Sequence, residues 1–275
     1  MSTINCKGTL IDLSTPKVMG IVNVTPDSFF DGGKLTNSDE IVVQVEKMLQ
    51  DGATFIDLGG YSSKPGAEFV SETEELNRVV PIVKLLVEKF PDILLSIDTF
   101  RSEVAKQTVE NGAAIINDIS AGLLDEKMLE TVAKLQVPYI MMHMKGTPKT
   151  MQSLANYDDL LKEMNFYFSE RIAKARNFGL NDIIIDPGFG FAKTLEHNYE
   201  LLQNLELLQF HDLPILAGIS RKSMIYKTLE TSPEEALNGT TFLHAFCLQK
   251  GANILRVHDV KEAVECVKLM CRLGN

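Results

Sequence analysis

Short apolar runs alternate with longer amphipathic stretches along the whole chain. The runs occupy 18–24, 54–60, 94–99, 114–120, 139–144, 182–188, 215–220 and 253–259, each strand-length and rich in Ile, Leu or Val. They show little polar alternation, which is how strands covered on both faces read. Helix signals fill the gaps. Ser71-Glu-Thr-Glu74 fits a capping box, and Asn37-Ser-Asp-Glu40 offers a second. Ser232-Pro233-Glu234-Glu235 sets a cap, a first-turn proline and two acids suited to a helix N-terminus in order. Asp51-Gly52-Ala53, Asn111-Gly112-Ala113 and Lys250-Gly251-Ala252 put glycine where a helix must turn into the next strand, a weak internal repeat.

With a last helix over 260–273, the chain reads as eight βα units. A closed barrel and a doubly wound open sheet both satisfy that order. The count of eight, and the lack of a Gly-x-Gly-x-x-Gly turn after the first strand, favour the barrel. The expected fold is α/β, a (β/α)8 TIM barrel. No linker-like Pro/Gly/Ser stretch divides it, so a single domain over 1–275 is expected. Residues 1–14 would supply an N-terminal strand pair (4–13) closing the barrel bottom.

Composition narrows the class. A chain of 275 residues, 45% hydrophobic and 23% charged, is globular and long enough for one such barrel. Lys and Arg number 27 against 37 Asp and Glu, a net charge of −10. That balance argues against nonspecific binding to nucleic acid or an anionic membrane, although one cationic pocket could still hold a phosphate. The four cysteines, Cys6, Cys247, Cys266 and Cys271, form no CxxC pair and no zinc spacing. Free thiols in a reducing compartment are expected. The first ten residues lack the order of a signal peptide, and no stretch reaches the length of a membrane span. A soluble, cytoplasmic protein is expected.

The placement of polar residues points to chemistry. Asn23, Asp57, Asp98, Asn117, Asp118, His143, Asp186, Ser220, Arg221, Lys222, Arg256 and His258 all lie near the C-terminal end of an apolar run or just past it. An unpaired polar group inside a buried strand costs several kcal/mol. In a parallel barrel those ends converge on one face, where barrel enzymes keep their chemistry. A structural protein has no reason to gather acids, amides and cations there, so an enzyme is expected. Taken singly, the same residues allow plainer readings. Asp98 and Asp118 could cap the following helices. Asp57 could be a buried acid paired across the barrel, and His143, beside Met141, Met142 and Met144, could sit in simple core filling. His197, His211 and His244 read as ordinary surface or packing histidines. Gly32-Gly33, Gly59-Gly60 and Gly188-Phe-Gly190 follow strands and allow loops to approach a ligand closely. The first two of these loops, 25–34 and 61–70, are long enough to act as lids.

Longer motifs carry a family resemblance. They are Met19-Gly-Ile-Val-Asn-Val-Thr-Pro-Asp-Ser-Phe29 with Asp31-Gly-Gly33, and Asp57-Leu-Gly-Gly60 with Ser62-Ser-Lys-Pro-Gly-Ala67. Ser96-Ile-Asp-Thr99, Ile116-Asn-Asp118, Met142-His-Met144 with Gly146, and Asp186-Pro-Gly-Phe-Gly-Phe191 follow. The series ends with Gly218-Ile-Ser-Arg-Lys-Ser223, Asn238-Gly-Thr240 and Arg256-Val-His-Asp-Val260. In this order, over almost the whole chain, they resemble the dihydropteroate synthases. The resemblance implies condensation of 6-hydroxymethyl-7,8-dihydropterin pyrophosphate with p-aminobenzoate, pyrophosphate leaving with the help of Mg²⁺.

It also implies roles. Asp98, Asn117, Met142, Asp186 and Lys222 resemble the pterin pocket. The Asp186 carboxylate suits the donor edge of the ring, Lys222 its carbonyl and N5, and Asn117 a mixed edge. Asp98 would stabilise positive charge near N8, and Met142 would pack on the ring face. Asn23, Ser63, Arg256 and His258 resemble the pyrophosphate site, with Asn23 also the metal ligand and Arg256 offering a planar fork. Asp98, Lys222, Asn23, Arg256 and His258 form the implied catalytic set. Ser63, Pro65, Phe191 and Ser223 resemble the p-aminobenzoate pocket, and Phe29, Asp31 and Lys64 sit on the lid loops. Sulfonamides are the implied inhibitors. A homodimer is implied too, through helices with apolar faces at Leu201, Leu202, Val264 and Val267, although those faces could equally pack on the barrel. Two positions depart from the family: Ser63-Lys64 stands where many members carry Thr-Arg, and Ala192 where Gly is common. Two rival readings remain, a folate-dependent methyltransferase barrel and a catalytically silent pterin-binding protein. The latter should have lost Lys222, Asp98 or Arg256, and all three are present.

Overall fold

The computed structural model describes residues 3–24, 36–61 and 70–274. An antiparallel pair, β1 (Thr3–Cys6) and β2 (Thr9–Asp12), opens the chain. Eight parallel strands then form one sheet: β3 (Lys17–Asn23), β4 (Phe55–Gly59), β5 (Leu95–Asp98), β6 (Ile115–Asp118), β7 (Tyr139–Met142), β8 (Ile183–Asp186), β9 (Leu216–Ala217) and β10 (Ile254–Val257). Strands β3 to β8 neighbour one another in sequence order, β10 pairs with β3, and β9 pairs with β10. A parallel bridge between Ile185 and Ile215 joins β8 to the start of β9, with the Ile185 N–H donating to Pro214 O at 2.9 Å. The ring is closed, which decides for the (β/α)8 barrel over the open sheet.

Register explains where the polar residues sit. Alternate side chains of a strand face opposite ways. Val22, Ile56, Leu58, Ile97, Ile116 and Ile185 belong to the large core between sheet and helices. Met19, Phe55, Ile115, Ile140, Ile184, Leu216 and Ile254 form a separate inner cluster with Ile4, Cys6 and Leu13. That cluster is the barrel floor, and the β1–β2 pair lies against it. The Asn5 N–H donates to the Asp182 carboxylate at 3.0 Å, fastening the pair beside the start of β8. Two residues above the floor, on the same inward face, come Ile21, Asp57, Asn117, Met142, Asp186 and Arg256. Asn23 and His258 follow two residues higher. The interior therefore changes from apolar to polar within one step of the pleat.

Outside the sheet run α1 (Thr36–Gln50), α2 (Glu72–Lys89), α3 (Ser102–Glu110), α4 (Met128–Leu135), α5 (Leu160–Asn177) and α6 (Leu195–Gln203). A short α7 (Ser223–Thr228) precedes α8 (Leu237–Gln249), and α9 (Val260–Arg272) ends the fold. Ser71 caps α2 by accepting the Glu74 N–H at 3.2 Å, but the Glu74 carboxylate pairs with Arg78, so only half of the expected box forms. Helix α1 begins at Thr36, one residue ahead of the expected Asn37 cap. Helix α8 begins at Leu237 rather than Pro233, because Arg221 takes the carbonyls of Pro233 and Glu234 at 2.9 and 2.6 Å and holds them in a turn. Asp98 caps nothing, since the N-cap position of α3 is Arg101. Asp118 accepts from Ser120, Gly122 and Tyr139 at 2.6–2.7 Å and braces the turn after β6, not α4. All four cysteines are free. No helix among the described residues is long and apolar enough to cross a membrane.

His244, only 1% exposed on α8, makes folding sensitive to acid. Burial pushes its imidazole from 6.5 down to about 4. Burial, and then the charges of Lys193 and Lys145, lower His143 as well. The unfolded chain takes up these protons before the folded one does, so this stability is complete above pH 6.5 and is lost as pH falls towards 4. For His244 the shift corresponds to about 3 kcal/mol. The melting temperature is therefore expected to fall between pH 6.5 and 4, and His244→Leu to flatten part of that slope. An unchanged slope in the variant would assign it to the carboxylates alone.

Candidate active site

A cleft of about 700 Å³ opens at the C-terminal end of the strands. Of the residues singled out in the sequence, Asn23, Asp98, Phe191, Ser220, Arg221, Lys222, Ser223, Arg256 and His258 line it. Asn117, Met142 and Asp186 lie deeper, 4%, 3% and 6% exposed. Phe29, Asp31, Ser63, Lys64 and Pro65 fall outside the described residues.

The polar layer is organised by Asp57, which is fully buried. One of its oxygens accepts from Ser96 Oγ at 2.6 Å, and the other from Asn117 Nδ2 at 3.1 Å and Arg256 Nε at 2.6 Å. Arg256 Nη2 donates to Asp98 Oδ2 at 2.7 Å. Asp57 is thus the acid paired across the barrel, and the Arg256 fork is turned towards two carboxylates. Burial raises the Asp98 carboxyl to about 7 against the opposing pull of Arg256, with Asp57, Glu75 and Asp118 adding to the rise. The two carboxylates hold Arg256 in its charged form. Near neutral pH, Asp98 is poised between its two protonation states.

Lys222 and Asp186 form the second charged group. Burial lowers the Lys222 ammonium to about 8, while the Asp186 carboxylate supports its charge. Burial raises Asp186, opposed by Lys222, by the Gly188 N–H that donates to it at 2.8 Å, and by Arg256 and Lys193. Lys222 Nζ donates to Phe189 O and lies 4.8 Å from the centre of the Phe191 ring. The residue before it, Arg221, has a left-handed backbone (φ 53°) and fixes it in place. Its guanidinium grips Asp259 with two bonds of 2.8 Å. Met142 joins Ile119, Met144, Met151 and Ala192 in a small apolar cluster beside this group.

At the outer corner, Asn23 and His258 are exposed and close to Arg256 in the cleft wall. Ser220 Oγ accepts the His258 backbone N–H at 3.2 Å and lies 3.0 Å from His258 Nδ1. A hydroxyl that donates its own proton to Nδ1 leaves the ring donor on Nε2. Among the described residues, no cluster of three or more His, Cys, Asp or Glu could hold a metal by itself. The Asn23 side chain offers an amide oxygen, a hard ligand of the kind Mg²⁺ accepts alongside water and other oxygens.

Several contributors were not singled out from sequence. Ser96 orients Asp57, and Tyr61 and Gln152 line the cleft. Lys193 is buried behind the loop after β8. The signal for Lys193 was the clustering of glycines just before it, since a loop with inward-turned carbonyls needs a donor. Ala192 has φ 48°, a conformation costing a non-glycine residue about 1 kcal/mol, so the departure from glycine there adds strain.

The fold and this cleft define a barrel enzyme with a buried acid–amide–lysine pocket next to a polar corner of Asn23, Arg256 and His258. Residues 19–258 match the family model described as "Pterin binding enzyme". The chain is 46% identical to the dihydropteroate synthase of Escherichia coli (strain K12), over 96% of this chain and 94% of the relative. The dihydropteroate synthase of Yersinia pestis, solved with a sulfonamide drug complex, superposes with a TM-score of 0.92 at 44% identity, covering 98% of both chains. That of Xanthomonas albilineans, solved with 4-aminobenzoic acid, gives a TM-score of 0.91 at 39% identity, covering 99% of this chain and 98% of that one. The chain belongs to the pterin-binding enzymes and, within them, to the dihydropteroate synthase family.

Proposed function

We propose that the protein condenses 6-hydroxymethyl-7,8-dihydropterin pyrophosphate with p-aminobenzoate, giving 7,8-dihydropteroate and pyrophosphate for folate biosynthesis. The observation that carries this reading is the division of one cleft into two charged parts. Asp186, Lys222 and Asn117 offer an acceptor, a cationic donor and an amide to a flat heterocycle. Asn23, Arg256 and His258 offer neutral and cationic donors to a diphosphate.

In this reading Asp186 accepts the donor edge of the pterin and Lys222 donates to its acceptor edge. Asp98 faces positive charge that spreads into the ring as the bond between the methylene carbon and pyrophosphate oxygen breaks. The arylamine nitrogen then bonds to that carbon and loses a proton. Phe191 and Ser223 bound the arylamine, Phe191 by its ring and Ser223 by its hydroxyl; Ser63 and Pro65 would complete that side, under the Phe29, Asp31 and Lys64 loops. Asn23 would hold Mg²⁺ together with diphosphate oxygens, and the ion would neutralise charge on the leaving group. Sulfonamides, resembling p-aminobenzoate in shape, would compete for its place. A cytoplasmic location accords with four free cysteines. For the homodimer, Leu201, Leu202 and Val267 prove to be turned inward against the core. A face that could serve instead is the outer side of α8 and α9 with the residue after α9, where Phe242, Leu269 and Leu273 are exposed.

Mixing both substrates with Mg²⁺ is expected to release pyrophosphate in a p-aminobenzoate-dependent manner, and chelation by EDTA to slow it. Release that ignores p-aminobenzoate would sink the reading.

A further inference from the structure

Lys193 is 5% exposed and lies near the end of the loop that connects β8 to α6. Its ammonium reaches three acceptors: Gly188 O at 3.0 Å, Phe191 O at 3.1 Å and His143 Nδ1 at 3.1 Å. Three donors meet three acceptors, and none of the three is a carboxylate. Burial disfavours this charge, lowering the ammonium to about 7, with Lys222 and Lys145 opposing it and Asp186 supporting it. A buried cation without a bonded counter-ion is costly, so packing alone does not account for it.

The loop it holds has an unusual shape. Gly188, Gly190 and Ala192 all have left-handed backbones, φ 68°, 83° and 48°. That sequence of conformations turns the loop carbonyls away from solvent. Gly188 O and Phe191 O go to Lys193, Phe189 O to Lys222, and Ala192 O to the Tyr157 hydroxyl at 2.9 Å. At Gly188 a Cβ would stand 2.3 Å from His143 O, so the loop is pressed against the end of β7. His143 is held there in turn, its ring edge-on to Tyr167 with centroids 4.8 Å apart. The outer side of the same loop presents Phe189, Gly190 and Phe191 to the cleft.

We infer that Lys193, seated on His143, is a positioning residue for the arylamine side of the reaction: it fixes the loop that carries Phe191. The inference rests on the function proposed above. Lys193 touches neither substrate. It acts through Phe191, whose carbonyl it holds at 3.1 Å and whose ring bounds the arylamine. Misplacing such groups by an ångström can cost up to ~100-fold in rate.

The test compares Lys193→Met and Lys193→Gln with the wild type by initial rates of pyrophosphate release and by calorimetric titration with each substrate. Methionine keeps the length of the stem and loses every donor, whereas glutamine keeps two. The KM for p-aminobenzoate should rise at least ~10-fold in Lys193→Met while that for pterin pyrophosphate stays within ~3-fold, and Lys193→Gln should fall between. A thermal melt identifies folded protein, and Lys193→Gln carries the comparison if the methionine variant does not fold. An unchanged p-aminobenzoate KM, or equal losses for both substrates, would overturn the inference. A wild type without p-aminobenzoate-dependent release would instead remove the proposed function, so the two failures are distinguishable.

Discussion

Replacing Asp98 by Asn is expected to lower kcat by about 10²–10³-fold while pterin binding changes only a few-fold. The side chain keeps its size, and Arg256 keeps Asp57 as a partner, so the polar layer should survive. What disappears is the negative charge facing the ring. A unit charge about 4 Å from a developing cation contributes about 4 kcal/mol at an effective dielectric of 20, enough for a factor near 10³. A neutral ground-state pterin feels little of it, which is why the loss should appear in kcat. The pH dependence gives an independent check. Burial lifts the Asp98 carboxyl to about 7, and the reaction needs its anion, so kcat/KM should rise with pH through that region. Asp98→Asn should remove this acid limb. Equal losses in pterin affinity and turnover, with the limb intact, would reduce Asp98 to a residue that only orients the substrate.

Lys222→Met should weaken pterin binding and lower kcat/KM together, on the order of 10²-fold or more. The ammonium is the strongest cationic support of Asp186, and removing it leaves a buried carboxylate more inclined to take up a proton. It also leaves ring acceptors without a donor, and an unmatched buried polar group costs about 1–3 kcal/mol each. Lys222 is lowered by burial to about 8, so the wild-type profile should fall as pH rises through that value and the ammonium is lost. The variant should show a low rate without that alkaline limb. Titration of both proteins with the pterin substrate from pH 6 to 9.5 would decide the matter. Wild-type affinity in Lys222→Met would exclude the lysine from the pterin pocket.

Much of the architecture was legible from neighbouring residues. Apolar runs of strand length, glycines at helix ends and the Ser71 cap are local features, and each appears close to its expected position. The exceptions have non-local causes. The start of α8 is displaced by Arg221, twelve and thirteen positions before the carbonyls it binds. Leu201 and Leu202 could face a partner or the barrel in sequence, and only packing turned them inward.

By itself the sequence determined eight buried strands and the gathering of charged and amide residues at their C-terminal ends, because a period of two and an aversion to unpaired polar groups are written into each segment. The tertiary structure decided how those residues share their charges. Asp57 and Arg256 are 199 positions apart, and Arg256 and Asp98 are 158 apart, yet each pair is in hydrogen-bond contact. Closure between β8 and β9 completes the barrel, and burial inside it moves Asp98, Lys222 and Lys193 to values near neutrality. Desolvation is a property of the assembled interior.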